Sequence, residues 1–502
     1  MKDKFYISTP IYYPSSNFHI GHCYTTVIAD SIARYKRLCG YDVYFQTCTD
    51  EHGQKIENKA REAGVSPKEY VDEIILNAKD LWKSLNITYD YFIRTTDSNH
   101  VVAVQKIFEK LYNQGDIYKG DYTGLYCTPC ESFWTESQLV SGKCPDCGRE
   151  VHMIKEEAYF FKLSKYADKL IDFYDKHPNF LLPVSRKNEM INNFIKPGLQ
   201  DLCVSRTSFK WGIPVPFDPD HVIYVWIDAL TNYITSLGYP DKLDDKFARY
   251  WPCDLHLVGK EIVRFHAIIW PCILMALNLP LPKQIFGHGW LIVDGGKISK
   301  SLGNYKDPRE YINAYGVDAV RYFVLREVPL GSDGNFSEEA LVNRINGDLA
   351  NVLGNLVNRT ISMANKYFDG KVSNKKSYEE DQEFLNCIGS LCDKVDESMN
   401  NYEISVCLGN IFDVLRRSNK YVDETMPWVL YKNNDLERLE AVLYNLLYSI
   451  KVCTTFLRPF IPDTCDEIFK QLNLDFISFD DVYNETNFNV GKASILFERV
   501  EN

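Results

Sequence analysis

Hydrophobic and polar positions alternate with two different periods along this chain, and each change of period marks an element. Residues 5–13, "FYISTPIYY", are dense in Ile and Tyr and read as a strand. Residues 14–17 carry turn chemistry. From His22 onward, Tyr24, Val27, Ile28, Ile32 and Tyr35 recur at helical spacing, and Gly40 is placed to stop that helix. Residues 41–50, "YDVYFQTCTD", read as a second strand. Strand, helix and strand within about fifty residues predict a right-handed βαβ crossover. Ligands of such sheets bind beyond the carboxyl ends of the strands. Those ends carry "FHIGH" (residues 18–22) and "TDEHG" (residues 49–53).

Residues 118–214 read as an insertion with its own cysteines and short strands. The buried strand-and-helix pattern returns from His221 in "VIYVWIDAL", "LHLVGKEIVRFHAIIW" and "IFGHGWLIV". After Ser337 the pattern changes to long amphipathic helices, as far as about residue 472, which predicts a separate helical bundle. The last thirty residues carry a weaker signal.

Composition narrows this picture. A chain of 502 residues has room for two to four domains, and 45% hydrophobic with 25% charged residues is globular usage. The net charge of -12 excludes a uniformly cationic surface, but a local basic patch suffices for nucleic acid. The first ten residues lack the apolar core of a signal peptide. The most apolar stretch, residues 267–282, is broken by Pro271, Asn278 and Pro280; it is too short to span a membrane and reads as a buried helix. Of 15 cysteines, four fall in two close pairs, which suits a reducing compartment and one metal site better than a disulfide framework.

The chemistry concentrates in three places. Residues 294–304, "DGGKISKSLGN", set Lys297 and Lys300 among Gly295, Gly296 and Gly303, a composition suited to phosphate. The stretch is no Walker A loop, because Ile298 follows Gly296-Lys297 and position 291 is Leu. His19 and His22 flank Gly21 at a strand-to-helix junction, where amide donors and the helix dipole favour an anion. Alone, that motif reads equally as a capping turn with two surface histidines; the lysine-serine loop, which wants the same polyphosphate, tips the balance. Cys127-x2-Cys130 and Cys144-x2-Cys147, thirteen residues apart, match a four-thiolate zinc site. Four thiolates leave no open position, so such a site is structural; the alternative is four unliganded thiols.

"FHIGH" together with "KISKS" resembles the signature pair of class I aminoacyl-tRNA synthetases, with Ile298 where Met is usual. The segments "STPIYYPSSNFHIGH", "TDEHGQKI", "YVWIDAL", "GKEIVRFHAIIWP", "GHGWL" and "YVDETMPW" are similar to methionyl-tRNA synthetases of the bacterial type, over nearly the whole chain. The resemblance implies an α/β protein with a Rossmann-like parallel sheet, split by a zinc-containing connective insertion and followed by an all-α anticodon-binding bundle. Its divisions are 1–117 and 215–292 for the catalytic halves and 118–214 for the insertion. Residues 293–337 hold the KISKS loop and stem-contact region, and 338–502 the anticodon domain.

The implied reaction joins L-methionine and ATP into methionyl-adenylate, then passes methionine to tRNA(Met), including the initiator. His19, His22, Lys297 and Lys300 are the implied catalytic residues. With them, Gly21, Gly259, Glu261, His288, Gly289 and Ser299 bind ATP, Glu261 at the ribose, with Gly287 and Trp290 beside the adenine. Asp50 takes the methionine ammonium. Ile11, Tyr13, Trp226, Ala229 and Leu230 line the methionine pocket, with Tyr233, Phe265, His266 and Trp270. A thioether offers no strong hydrogen-bond handle, so shape and sulfur-aromatic contacts must carry recognition. Asn355, Arg359 and Trp428 match anticodon-reading positions. The cofactors implied are one structural Zn2+, on Cys127, Cys130, Cys144 and Cys147, and Mg2+ with ATP. The protein is expected to be cytoplasmic, monomeric in this form and without a membrane partner. Isoleucine and valine enzymes carry a larger insertion between the signatures. A cysteine enzyme needs an open metal position, and a non-catalytic tRNA-binding relative need not keep His19, His22, Asp50, Lys297 and Lys300.

Overall fold

The computed structural model describes residues 3–128, 132–134, 136, 139–145, 147–293, 306–373, 376–475 and 477–501. The chain divides into two compact units: Met1–Ala29, Tyr41–Lys83 and Ile87–Trp290 form the first, and Asp30–Gly40, Ser84–Asn86 and Leu291–Asn502 the second.

The first unit is built on a six-stranded sheet. Strand β1 (Lys4–Tyr12) pairs in parallel with β2 (Asp42–Thr49), which pairs in parallel with β3 (Tyr91–Arg94). On its other edge β1 pairs in parallel with Leu255–Gly259, followed by Ile285–His288 and the short edge strand Leu181–Leu182. The order reverses direction between β1 and Leu255–Gly259. That reversal opens a crevice at the carboxyl ends of these strands, where open α/β sheets bind ligands. Strands β1 and β2 are buried on both faces, as a sheet covered by helices requires. Helix α1 (Ile20–Leu38) starts two residues ahead of its periodic signal and ends before Gly40, whose φ of 82° is left-handed.

Strands Ser132–Trp134, Ile117–Cys127, His152–Phe161 and Leu202–Cys203 form, in that order, a four-stranded antiparallel sheet; Leu181–Leu182, within the predicted insertion, instead joins the main sheet. The apolar run from residue 265 opens as a single π-turn, Phe265–Ile269, and continues as the helix Trp270–Ala276, nearly all of it buried. No helix among the described residues is long and apolar enough to cross a membrane.

The second unit opens on Leu291–Val293, paired in parallel with Gly334–Phe336. "IFGHGWLIV" therefore breaks in two, and its second half joins a different sheet from Ile285–His288. A Cβ at Gly334 would lie 2.1 Å from Val328 Cγ2, so this approach needs glycine. The helix Pro308–Tyr315 starts with a capping box between Asp307 and Glu310. The remainder is helical, dominated by Ile404–Thr425 and the almost wholly buried Leu436–Leu457. Two buried arginines in this unit are compensated. Arg321 reaches Asp30 at 2.8 Å and the carbonyls of Leu85, Pro459 and Phe460. Asp381 holds Arg438 through two bonds of 2.6 and 2.7 Å, and also accepts from Tyr421 and Asn445.

Candidate active site

The parallel register sets the candidate residues along one edge of the first sheet. Ile11 lies opposite Cys48 and Tyr12 opposite Thr49, so Tyr13 and Asp50 leave neighbouring strands side by side. The Asp50 amide donates to Tyr12 O at 2.9 Å. On the far side of β1, Gly259 is opposite His288. Asp50 thus marks one end of the row and His288 the other, with the start of α1 fed from β1 between them.

At that start the two histidines cap the backbone. The His19 amide donates to His22 Nδ1 at 3.1 Å, and the Gly21 amide donates to His19 Nδ1 at 3.1 Å. A ring nitrogen that accepts carries no proton, so each neutral imidazole keeps its proton on Nε2, at the ring's opposite side. The amide of Gly21 is therefore occupied, and both ring protons sit on Nε2. The ring centres lie 4.0 Å apart, and Phe18 stacks on His22 at 4.6 Å. Burial, then the neighbouring His19, push the His22 pKa well below the usual imidazole value, so it works as a neutral donor.

His288 donates from Nδ1 to Gly289 O at 2.7 Å, which leaves Nε2 to accept from Thr25 at 2.9 Å. Burial lowers its pKa against the opposing pull of Gly289 O and Glu261. Glu261 accepts from Trp290 Nε1 at 2.6 Å, and the Lys260 ammonium sits 4.1 Å over the Trp290 ring. A Cβ on Gly259 would lie 2.5 Å from the Glu261 carboxylate. Lys297, Ser299 and Lys300 lie outside the described residues.

The apolar candidates converge on one core. Leu230, Tyr233, Phe265 and Trp270 belong to it, and Ile11 and Trp226 pack against it; Ala229 and His266 are also buried. Trp226 and Phe265 stack with ring centres 3.4 Å apart. The π-turn at Phe265–Ile269 re-aims Phe265 and His266 relative to Trp270, a frequent use of π-geometry at functional sites. His266 donates from Nδ1 to Ile262 O at 3.0 Å and receives the Tyr233 hydroxyl at Nε2 across 2.8 Å; burial pulls its pKa down to about 4. Below Tyr233, His256 accepts from Trp270 Nε1 at 3.2 Å and donates to Ser8 Oγ at 2.6 Å.

Sequence reasoning overlooked the supports of this edge. Asp228 is fully buried and accepts from His52 Nδ1 at 2.7 Å and His100 Nε2 at 2.9 Å. Burial raises its pKa, but the two histidines outweigh burial and hold it below the usual carboxylate value. Thr235 bonds His100 Nδ1 at 2.7 Å. Glu51 takes both nitrogens of Arg94 at 2.7 and 2.8 Å. The available signal was an acidic residue inside the apolar run "YVWIDAL"; its partners are remote in sequence.

Three of the four paired cysteines can be placed. The sulfurs of Cys127, Cys144 and Cys147 lie within 4.8 Å of one another, and Cys127 and Cys147 are 3.5 Å apart. Thiolates around a zinc ion, each bonded at about 2.3 Å, stand about 3.8 Å from one another, so this set fits the metal. Gly148 donates to Cys144 O at 2.8 Å in the tight turn that aims these sulfurs. Cys130 lies outside the described residues. In the second unit, Asn355 and Arg359 lie on Asn355–Phe368, and the Arg359 guanidinium is 5.2 Å from the ring of Trp428, which is 42% exposed. The helix Pro427–Lys432 carries Trp428 just after Met426, whose φ is 45°.

The profile of the family "tRNA synthetases class I (M)" matches residues 5–155 and 147–361, and "Anticodon-binding domain of tRNA ligase" matches residues 381–501. Methionine–tRNA ligase of Caldanaerobacter subterraneus subsp. tengcongensis is 60% identical over 508 residues, covering 100% of this chain and 80% of that protein. The Clostridium acetobutylicum enzyme is 57% identical, covering 100% and 79%. Mycobacterium tuberculosis methionyl-tRNA synthetase in complex with methionyl-adenylate superposes with a TM-score of 0.96 at 42% identity, over 99% of this chain and 100% of that one. Its apo form gives 0.89 at 39% identity, over 100% and 99%.

Proposed function

The chain belongs to the methionine–tRNA ligases, within the class I tRNA synthetases, and from that membership we propose how its residues divide the reaction. The protein activates L-methionine with ATP to methionyl-adenylate and transfers methionine to tRNA for protein biosynthesis.

Activation is an in-line displacement at the α-phosphate, so positioning and charge stabilisation carry it. Methionine lies over β1 and β2, with its ammonium on Asp50 and its thioether among Ile11, Tyr13, Trp226, Ala229, Leu230, Tyr233, Phe265, His266 and Trp270. ATP lies over Gly259 and His288, its ribose on Glu261 and its phosphates under the Nε2–H donors of His19 and His22. Lys297 and Lys300, with Ser299, neutralise the leaving pyrophosphate. Mg2+ accompanies the ATP and screens its phosphate charge. Asn355, Arg359 and Trp428 read the anticodon of tRNA(Met), initiator included. Zinc on Cys127, Cys130, Cys144 and Cys147 holds the insertion, residues 118–214, in shape. The catalytic halves are residues 1–117 and 215–292, joined by the loop region 293–337 to the anticodon domain, residues 338–502. The protein acts as a cytoplasmic monomer.

The observation that carries this reading is the pair of neutral imidazoles at the start of α1, each satisfied at Nδ1 by a backbone amide and so committed to donate from Nε2. ATP–pyrophosphate exchange tests it. Lys300→Ala should lower exchange by ~10²–10³-fold, the effect of removing one preorganised donor. His22→Ala should act in the same direction. Normal exchange in both variants defeats the phosphate assignment.

A further inference from the structure

Arg264 stands between the thiol knuckle and the methionine pocket. Its guanidinium carbon lies 4.7 Å from the centre of the Trp134 ring, 5.3 Å from Phe194 and 4.9 Å from Phe265. Each of these rings belongs to a different piece of the first unit. Trp134 is 4% exposed and packs in the same apolar cluster as Cys127 and Cys144. Its strand, Ser132–Trp134, pairs with Ile117–Cys127 so that Ser132 faces Cys127. Phe194 comes from the π-turn Ile191–Ile195. Phe265 stacks on Trp226. Trp134, Phe194, Arg264, Phe265 and Trp226 all line one cavity of about 790 Å³.

Ring contacts thus run without a break from the knuckle through Trp134, Arg264 and Phe265 to Trp226. A planar, weakly hydrated guanidinium can lie against several rings at once, which an ammonium cannot.

We propose that Arg264 is a positioning residue that couples the thiol knuckle to the methionine pocket. The knuckle fixes Trp134, Trp134 fixes the guanidinium, and the guanidinium sets the Phe265–Trp226 stack that methionine meets. This rests on the assignment of Trp226 and Phe265 to methionine.

The test is a double-mutant cycle read as methionine Kd by titration calorimetry without ATP. The proteins are wild type, Arg264→Leu, Cys144→Ser and the double variant, with metal content measured by atomic absorption. Arg264→Leu should weaken methionine binding by about five- to twentyfold while metal content, thermal midpoint and the KM for ATP stay at wild-type values, and Arg264→Lys should recover little. Cys144→Ser should lose metal and weaken methionine binding by a similar factor, and the double variant should be scarcely worse than either single one. Trp134→Leu approaches the link from its other end and should show the same selective loss. Wild-type methionine affinity in Arg264→Leu, or multiplying losses in the double variant, overturns the proposal. Trp226→Ala separates the two levels. If it binds methionine poorly while Arg264→Leu binds normally, only the coupling fails; if it too binds normally, the pocket assignment fails.

Discussion

His52 donates from Nδ1 to Oδ2 of Asp228 across 2.7 Å, although 176 positions separate them in the chain. Asp228 lies beside Ala229 and Leu230 on the helix Val225–Thr235, and His52 follows Asp50 by two residues. One buried carboxylate therefore ties the end of β2 to the helix that lines the apolar pocket. His100 takes its other oxygen, so both lone-pair edges are used.

Replacing that carboxylate with an amide removes one acceptor and sets an NH2 group against a histidine N–H. Asp228→Asn should therefore weaken methionine binding about tenfold, the loss of one charge-assisted bond. The KM for ATP should not change. A variant that raises both KM values equally, or neither, contradicts this division of the site.

The buried histidines predict how stability varies with pH. The His266 pKa falls from 6.5 to about 4 on burial, so between those values the unfolded chain binds more protons than the native one. Stability should therefore fall as the pH drops from about 6.5 to about 4, and stay level with respect to this group above 6.5. His22 and His256, also depressed by burial, act in the same direction. Thermal midpoints measured across this range check the slope. His266→Gln can still accept from Tyr233 but does not titrate, and should flatten part of it.

Trp428 offers an exposed indole beside the Arg359 guanidinium, a surface for an unstacked base. Trp428→Ala should cut tRNA charging by about ten- to a hundredfold, equivalent to one lost base stack. ATP–pyrophosphate exchange should be untouched, because that step needs no tRNA. Parallel loss of both activities would mean that Trp428 serves folding instead.

Asp381 and Arg438 form a buried pair in the helical unit, with Tyr421 and Asn445 completing the carboxylate's bonds. Asp381→Ala leaves the arginine only the longer contact to Glu380 at 3.6 Å and should cost up to about 3–5 kcal/mol. A urea titration followed by circular dichroism should show an earlier midpoint for the helical transition. Replacing Asp381 and Arg438 together by apolar residues should recover much of the loss, since the attraction of a buried pair barely exceeds its desolvation cost.

The local elements were legible because their causes are local. Dense Ile and Tyr marked β1, helical spacing marked α1, and Gly40 marked its end. The two thiol pairs and the His19–His22 turn are fixed by spacings of a few residues, which survive any arrangement of the rest. "IFGHGWLIV" was less well read: its uniform apolar character hid the break after His288, where the second half joins Gly334–Phe336 instead of the main sheet.

Sequence alone thus determined the strand–helix–strand opening, the family, and the chemistry held in short motifs. The tertiary structure decided the strand order that lines Asp50, His19 and His288 along one edge. It also decided which nitrogen of each histidine carries the proton, and the buried links Asp228–His52 and Arg264–Trp134. The two links join groups 176 and 130 positions apart, brought together by burial of a shared core. No period or spacing along the chain encodes which remote partner a buried charge will find; only the packing that excludes water makes that partner obligatory.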